Sequence, residues 1–175
     1  ARLGNVLPNT SLVGLWLVLF PLWLKYKICG RLFLYPKVPI KGREGIADFI
    51  VARTLYIDEM VDRAASDVQQ FVMLGAGYDT RAYRGLPNKS VRIFELDQAV
   101  VQQHKREALA HAGIDSDHVT FVAVDFAVDD IVQRLLEAGY DSSKPTLILW
   151  EGVSLYLTEA EVRATIRQIR GAASN

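Results

Sequence analysis

Cysteine is nearly absent from this 175-residue chain: Cys29 stands alone. That excludes an internal disulfide and any cysteine-based metal set, and a reducing compartment is the expected setting. Net charge is absent too. Twenty basic and 20 acidic residues cancel, which removes the electrostatic reason to expect a nucleic-acid partner. Internal repeats and low-complexity tracts are missing, and a charged share of 23% argues against wholesale disorder. The three histidines, His104, His111 and His118, are seven positions apart. Two helical turns separate His104 from His111 by about 10 Å, too far to share one metal at bonds of about 2 Å. They read as solvated surface residues, and no metal is expected.

What is present begins with an uncharged stretch. Leu3 to Leu24 holds 22 residues without a charge, followed by Lys25, Lys27 and Arg31. That length would cross a bilayer as a helix. Trp16, Trp23 and Tyr26 suit an interface, and the basic residues would place the C-terminal side in the cytoplasm. The apolar heart, Leu12 to Leu24, has only 13 residues and contains Pro21, so a core or surface-lying helix fits equally. No small-x-small cleavage site follows, against a secretory signal. Residues 1–34 are therefore a candidate membrane anchor, spanning or interfacial, with membrane association expected through residues 3–24. Residues 35–43, which include Pro36, Pro39 and Gly42, read as a linker, and residues 44–175 as a single domain with a sizeable core. The chain has no initiator Met and stops shortly after a helix pattern, so it reads as a fragment.

From Arg43 to Ser66 the apolar period is helical, with Ile46, Phe49, Ile50, Ile57, Met60, Val61 and Ala64 on one stripe. Arg53 falls inside that stripe. A charge directed at a core needs an anionic partner or a cavity. One reading is a buried ion pair or a stem snorkelling at the stripe's edge. The other is a guanidinium fork gripping a ligand carboxylate.

The chain is organised around Gln70 to Leu74, a run of strand formers that stops at Gly75-Ala76-Gly77 and leads into a polar, helix-opening segment. Glycines let a backbone turn sharply and approach a ligand. Strand and helix patterns then alternate: strand 91–96, helix 98–112, strand 119–124, helix 127–138, strand 146–150 and helix 158–170. The last helix opens on Thr158 with Glu161 in a capping-box arrangement. Such alternation predicts a parallel α/β sheet with right-handed crossovers.

Each predicted strand ends in a ligand-capable element: Gly75-Ala76-Gly77, Asp97, Asp125 and Glu151. In a parallel sheet these ends share one edge, where such sheets bind ligands. An acid about 20 residues past the glycine turn suits the two hydroxyls of a ribose, and Glu95 lies 20 and Asp97 22 positions beyond Gly75. Asp125 is placed to accept from an adenine amino group, with Phe126 packing on the ring. Acids at strand ends also serve as plain helix caps, but four marked ends on one edge favour a site. A nicotinamide dinucleotide wants a third glycine where this chain has Thr80, which favours a smaller adenosine ligand.

The segments Ala52-Arg53-Thr54-x-x-Ile57-Asp58-Glu59, Leu74-Gly75-Ala76-Gly77-Tyr78-Asp79-Thr80-Arg81-Ala82-Tyr83-Arg84, Phe94-Glu95-Leu96-Asp97 and Trp150-Glu151-Gly152-Val153-x-x-Tyr156-Leu157 resemble the leucine carboxyl methyltransferase family over about Ile46 to Arg170. The resemblance implies a Rossmann-like, class I S-adenosylmethionine-dependent methyltransferase with a parallel sheet flanked by helices. The family's sheet continues past the last helix, so this chain would be truncated at its C-terminus, with an N-terminal apolar helix outside the shared motifs. By resemblance, Arg53 would hold the methionine carboxylate, and Gly75, Ala76 and Gly77 would line the methionine and ribose portion. Asp97, or less aptly Glu95, would take the ribose hydroxyls. Asp125 and Phe126 would contact adenine, and Glu151 would border the sulfonium and the acceptor. Tyr156 is an acceptor-contact candidate, with a core aromatic as its plainer reading; Arg81 and Tyr83 receive no role and Arg84 a structural one. The expected activity is O-methylation of a carboxylate or small-molecule acceptor by a cytoplasmic catalytic domain. A nicotinamide-dependent oxidoreductase and a membrane-tethered module that binds cofactor without turnover are the alternatives.

Overall fold

The structure, a computed structural model, describes residues 45–86, 88 and 90–172. The candidate anchor, the apolar helix expected within it, the linker and the boundary at residue 44 lie outside the described residues. Among the described residues no helix is long and apolar enough to cross a membrane. They fall into two units divided between Ile50 and Val51, and the whole of the sheet belongs to the second.

Four parallel strands are described, β1 (Gln70–Leu74), β2 (Arg92–Asp97), β3 (Val119–Ala123) and β4 (Thr146–Trp150), in the order β3-β2-β1-β4. The helices are α1 (Ile46–Ala65), α2 (Ala99–His111), α3 (Ile131–Glu137) and α4 (Glu159–Ala172). The strands match the sequence reading to within a residue because each is a short apolar run closed by a polar residue. Alternation along β1 divides the core between the two faces of the sheet. Val72 and Leu74 join Phe94, Leu96, Val122, Ile131 and Leu135 on one face. Phe71 and Met73 join Val61, Ile93 and Val119 on the other. Helices therefore cover both faces, which defines a Rossmann-like α/β layer arrangement.

Three elements depart from the sequence reading. The segment after the glycine turn forms only a 3₁₀ turn, Arg81–Tyr83, and no α-helix joins β1 to β2 among the described residues. Helix α3 starts later than residue 127 because Asp130 is the residue that caps it, accepting from the backbone N–H of Val132 and Gln133. Asp125 closes a turn of its own, its Oδ1 accepting from Ala127 N–H at 3.0 Å. Along α1 the buried face runs through Val61 and Ala65, at 4% and 1% exposure, while Met60 stands 50% exposed. The apolar stripe read from the sequence is thus rotated relative to the side that packs. The capping box does form: Thr158 N–H donates to Glu161 Oε2 at 2.6 Å, and Glu161 N–H to Thr158 Oγ1 at 3.4 Å.

Candidate functional site

Chain order reverses at β1, which has β2 on one side and β4 on the other. The crevice beyond the carboxyl ends of β1 and β4 is therefore the switch point, the place where open α/β sheets bind ligands. Register sets its walls. Leu74 pairs with both Leu96 and Trp150, so the glycine turn and Glu151 begin side by side just beyond the sheet.

The turn is tied to the end of β2. Gly75 and Ala76 N–H donate to Leu96 O at 2.8 and 3.0 Å, and Gly77 N–H donates to Asp97 Oδ2 at 2.7 Å. Gly75 and Gly77 have φ of +68° and +43°, a region costly for any residue with a Cβ. A Cβ on Gly75 would also meet Val153 Cγ2 at 2.2 Å, whereas one on Gly77 would meet nothing nearer than 4.0 Å. Gly75 is therefore closed off by Val153, and Gly77 leaves open space.

A cavity of about 380 Å³ lies against this turn, lined by Arg53, Thr54, Gly75 to Arg81, Arg84 and Glu151. Arg53 Nε bonds Glu151 Oε1 at 2.8 Å across it, with side-chain exposures of 40% and 14%. Both sequence readings of Arg53 meet here: it is ion-paired, and it borders a cavity. Arg81 bonds the second oxygen, Glu151 Oε2, at 2.8 Å. It also bonds Asp58 Oδ1 at 2.6 Å and the carboxylate of Asp79. Asp58 in turn receives Arg84 at 2.9 Å. The Arg84 hydrogen bond, ahead of those from Arg81, holds the Asp58 carboxyl below its ordinary value against the opposing effect of burial. Burial opposes the charge on Arg81, but Asp58, Asp79 and Glu151 outweigh it and raise its pKa.

The other candidates are distributed unevenly. Asp97 stands at the end of β2 beside the glycine turn, its Oδ1 accepting from Gln98 N–H at 2.7 Å. Asp125 is exposed at the end of β3, and Phe126 packs partly buried against the core. Tyr156, in a 3₁₀ turn after β4, is 79% exposed, so it is no core aromatic. Glu95 is removed from the crevice. It is 1% exposed and bonds Lys105 Nζ of α2 at 2.6 Å from the interior strand β2, so its carboxylate is not offered to a ribose. Burial pushes the Glu95 pKa up although Lys105 opposes it. Burial, and then the neighbouring Glu95 charge, also push the Tyr83 hydroxyl well above its ordinary value. Neither Tyr83 OH nor Glu95 Oε1 has a hydrogen-bond partner of good geometry. His118 is exposed, yet one ring nitrogen lies 2.9 Å from Ala82 O. Among the described residues no cluster of His, Cys, Asp and Glu could hold a metal.

Sequence reasoning missed Arg81, Asp58 and Asp79 as one unit. The Asp-x-Arg spacing after the turn signals only the Asp79–Arg81 part, placing Arg81 N–H on Asp79 Oδ1 at 2.8 Å.

A parallel sheet with a glycine turn, an acid at the next strand end and a charged crevice at its switch point defines a nucleotide-type ligand fold. The family model for leucine carboxyl methyltransferase matches residues 35–170. The chain belongs to this family. Curated relatives carry the name "Putative S-adenosyl-L-methionine-dependent methyltransferase". One from Mycolicibacterium paratuberculosis is 44% identical over 110 residues, covering 62% of this chain and 35% of the relative. One from Saccharopolyspora erythraea is 36% identical over 149 residues, covering 77% and 51%. One from Mycobacterium avium is 44% identical over 117 residues, covering 65% and 37%. The chain thus spans about a third to a half of the length of these relatives.

Proposed function

We propose that this chain carries the cofactor-binding part of an S-adenosylmethionine-dependent methyltransferase that O-methylates a carboxylate or small-molecule acceptor. The observation that carries the reading is the Arg53–Glu151 pair at 2.8 Å beside the glycine turn. It offers a guanidinium and a carboxylate at one point, which is what a zwitterionic amino-acid head requires. The remaining residues fit the same ligand. Gly77 leaves open space against the cavity. Asp97 uses each carboxylate oxygen for one backbone N–H and keeps lone pairs for two ribose hydroxyls. Asp125 is exposed at the next strand end, with Phe126 beside it in sequence, for an adenine.

S-adenosylmethionine supplies a methyl group activated by a sulfonium. The protein's task is then to orient, to exclude water and to match charge. Arg53 would bind the ligand's carboxylate, Glu151 would balance its cationic centre, and Tyr156 would contact the acceptor. A carboxylate acceptor needs no general base, whereas an alcohol would. A nicotinamide dinucleotide is disfavoured by the 3₁₀ turn that replaces the phosphate-binding helix after β1.

Calorimetric titration with S-adenosylhomocysteine, with NADH as control, tests the reading. Micromolar binding of the first, lost in Arg53→Ala and Asp97→Ala, is the expected result. Binding of NADH alone overturns it.

A further inference from the structure

We infer that Arg81 is the positioning residue of this site: it fixes Glu151 through Oε2 and so reserves Oε1 for the cation of a zwitterionic ligand. This role rests on the cofactor reading proposed for the site and falls to a residue that borders the cavity but whose guanidinium is committed to three carboxylates.

Two arginines hold Glu151 in unequal ways. Arg53 is 40% exposed and holds Glu151 Oε1. Arg81 is 5% exposed and joins three elements, bonding Asp58 on α1, Asp79 in the glycine loop and Glu151 after β4. Moving Arg53 off Glu151 releases a side chain that water can solvate. Moving Arg81 would strand a buried guanidinium and its carboxylate partners. When a ligand enters, Arg53 is therefore the partner that exchanges and Arg81 the one that stays.

Charge explains which ligand this exchange accepts. Arg53, Arg81 and Arg84 balance Asp58, Asp79 and Glu151, so the cluster is neutral as it stands. A simple anion entering on Arg53 would leave Glu151 Oε1 without a partner, and a simple cation on Glu151 would do the same to Arg53. An amino-acid head brings both charges and replaces one internal ion pair by two. Arg81 makes the exchange productive, because a Glu151 free to rotate could follow Arg53 instead of meeting the ligand.

The test is a double-mutant cycle read by calorimetry on the full chain. The substitutions are Arg81→Lys and Glu151→Gln, and the probes are S-adenosylhomocysteine and 5′-methylthioadenosine, which lacks the amino-acid head. Arg81→Lys is expected to weaken S-adenosylhomocysteine about tenfold, the size of one charge-assisted hydrogen bond. It is expected to change methylthioadenosine by less than about twofold, and to add less than about twofold in the Glu151→Gln background. Equal losses for both probes, or equal losses in both backgrounds, would show a merely structural arginine and overturn the inference. If urea unfolding shows that Arg81→Lys does not fold, Asp58→Ala removes the Nε anchor instead, and the same selectivity between probes decides. Wild-type silence towards S-adenosylhomocysteine would sink the cofactor reading itself. Wild-type binding with an additive cycle sinks only the role of Arg81.

Discussion

Val153 closes over the α-carbon of Gly75, so that a Cβ built there would stand 2.2 Å from Val153 Cγ2. The loop after β4 thereby holds the glycine turn of β1 in place. Gly75→Ala will cost about 2 kcal/mol of stability, combining the left-handed backbone penalty with the collision. In Gly75→Ala/Val153→Ala the steric share is recovered and the backbone share is not. Urea titrations of the two single variants and the double variant measure the split. Full recovery in the double variant would show that φ at Gly75 carries no cost.

Lys105 neutralises the Glu95 carboxylate at 2.6 Å in a site where the two side chains are 4% and 1% exposed. Lys105→Met will destabilise the protein by about 3–5 kcal/mol, because removing one partner leaves a buried charge unpaired. Lys105→Met/Glu95→Gln will restore most of that loss, and thermal unfolding of the four proteins checks it. The pH dependence has a definite sign. A carboxyl whose pKa is raised by folding binds its proton more tightly in the native state, so stability falls as pH rises from about 4.5 through the folded value. Lys105→Met strengthens this effect, and the variant's melting temperature relative to wild type will be lower at pH 8 than at pH 5.

Asp58 gives the opposite sign. Its pKa is lowered from 3.8, first by the Arg84 hydrogen bond and then by Arg81. Its contribution is present above the unfolded value and is lost as pH falls through the folded one. Asp58→Asn will flatten the acid limb of the stability profile below about pH 4. An unchanged acid limb in this variant would mean that Asp58 is not held by the arginines in solution.

Asp97 ties the glycine turn to β2 through Gly77 N–H at 2.7 Å. Asp97→Asn keeps at most one of its two backbone-accepting oxygens and will cost about 1 kcal/mol of stability. Its effect on S-adenosylhomocysteine affinity will be larger than on a 2′-deoxyribose analogue, which lacks one of the vicinal hydroxyls. Comparing the two titrations separates the hydroxyl contact from the loop anchor.

The sheet was legible because an apolar run closed by a polar residue needs no tertiary information, and β4 matches residue for residue. The helix starts were harder. Asp125 and Asp130 are both competent caps, and only packing decides that Asp130 begins α3. Spacing alone offered Glu95 and Asp97 as alternatives. Lys105, ten positions after Glu95 and one strand-to-helix connection away, holds the first in the interior, while the second stays beside the glycine turn. The Arg81 cluster was the least legible part. Its partners Asp58 and Glu151 lie 23 and 70 positions away, and no local pattern announces that three carboxylates converge on one guanidinium.

The reversal of chain order at β1 also sets a timetable for the growing chain. When synthesis has reached the end of β3, the glycine turn and Asp97 are present, but one edge of β1 is bare and neither Glu151 nor Val153 exists. The crevice gains its second wall only when β4 arrives, more than 70 residues after the turn it completes. Such a distant pairing must close a long loop before it gains contacts, which makes it a late event in folding. Ligand capture is therefore a readout of a finished sheet, and a nascent chain or proteolytic piece ending before β4 will hold the glycine motif intact without a place to use it.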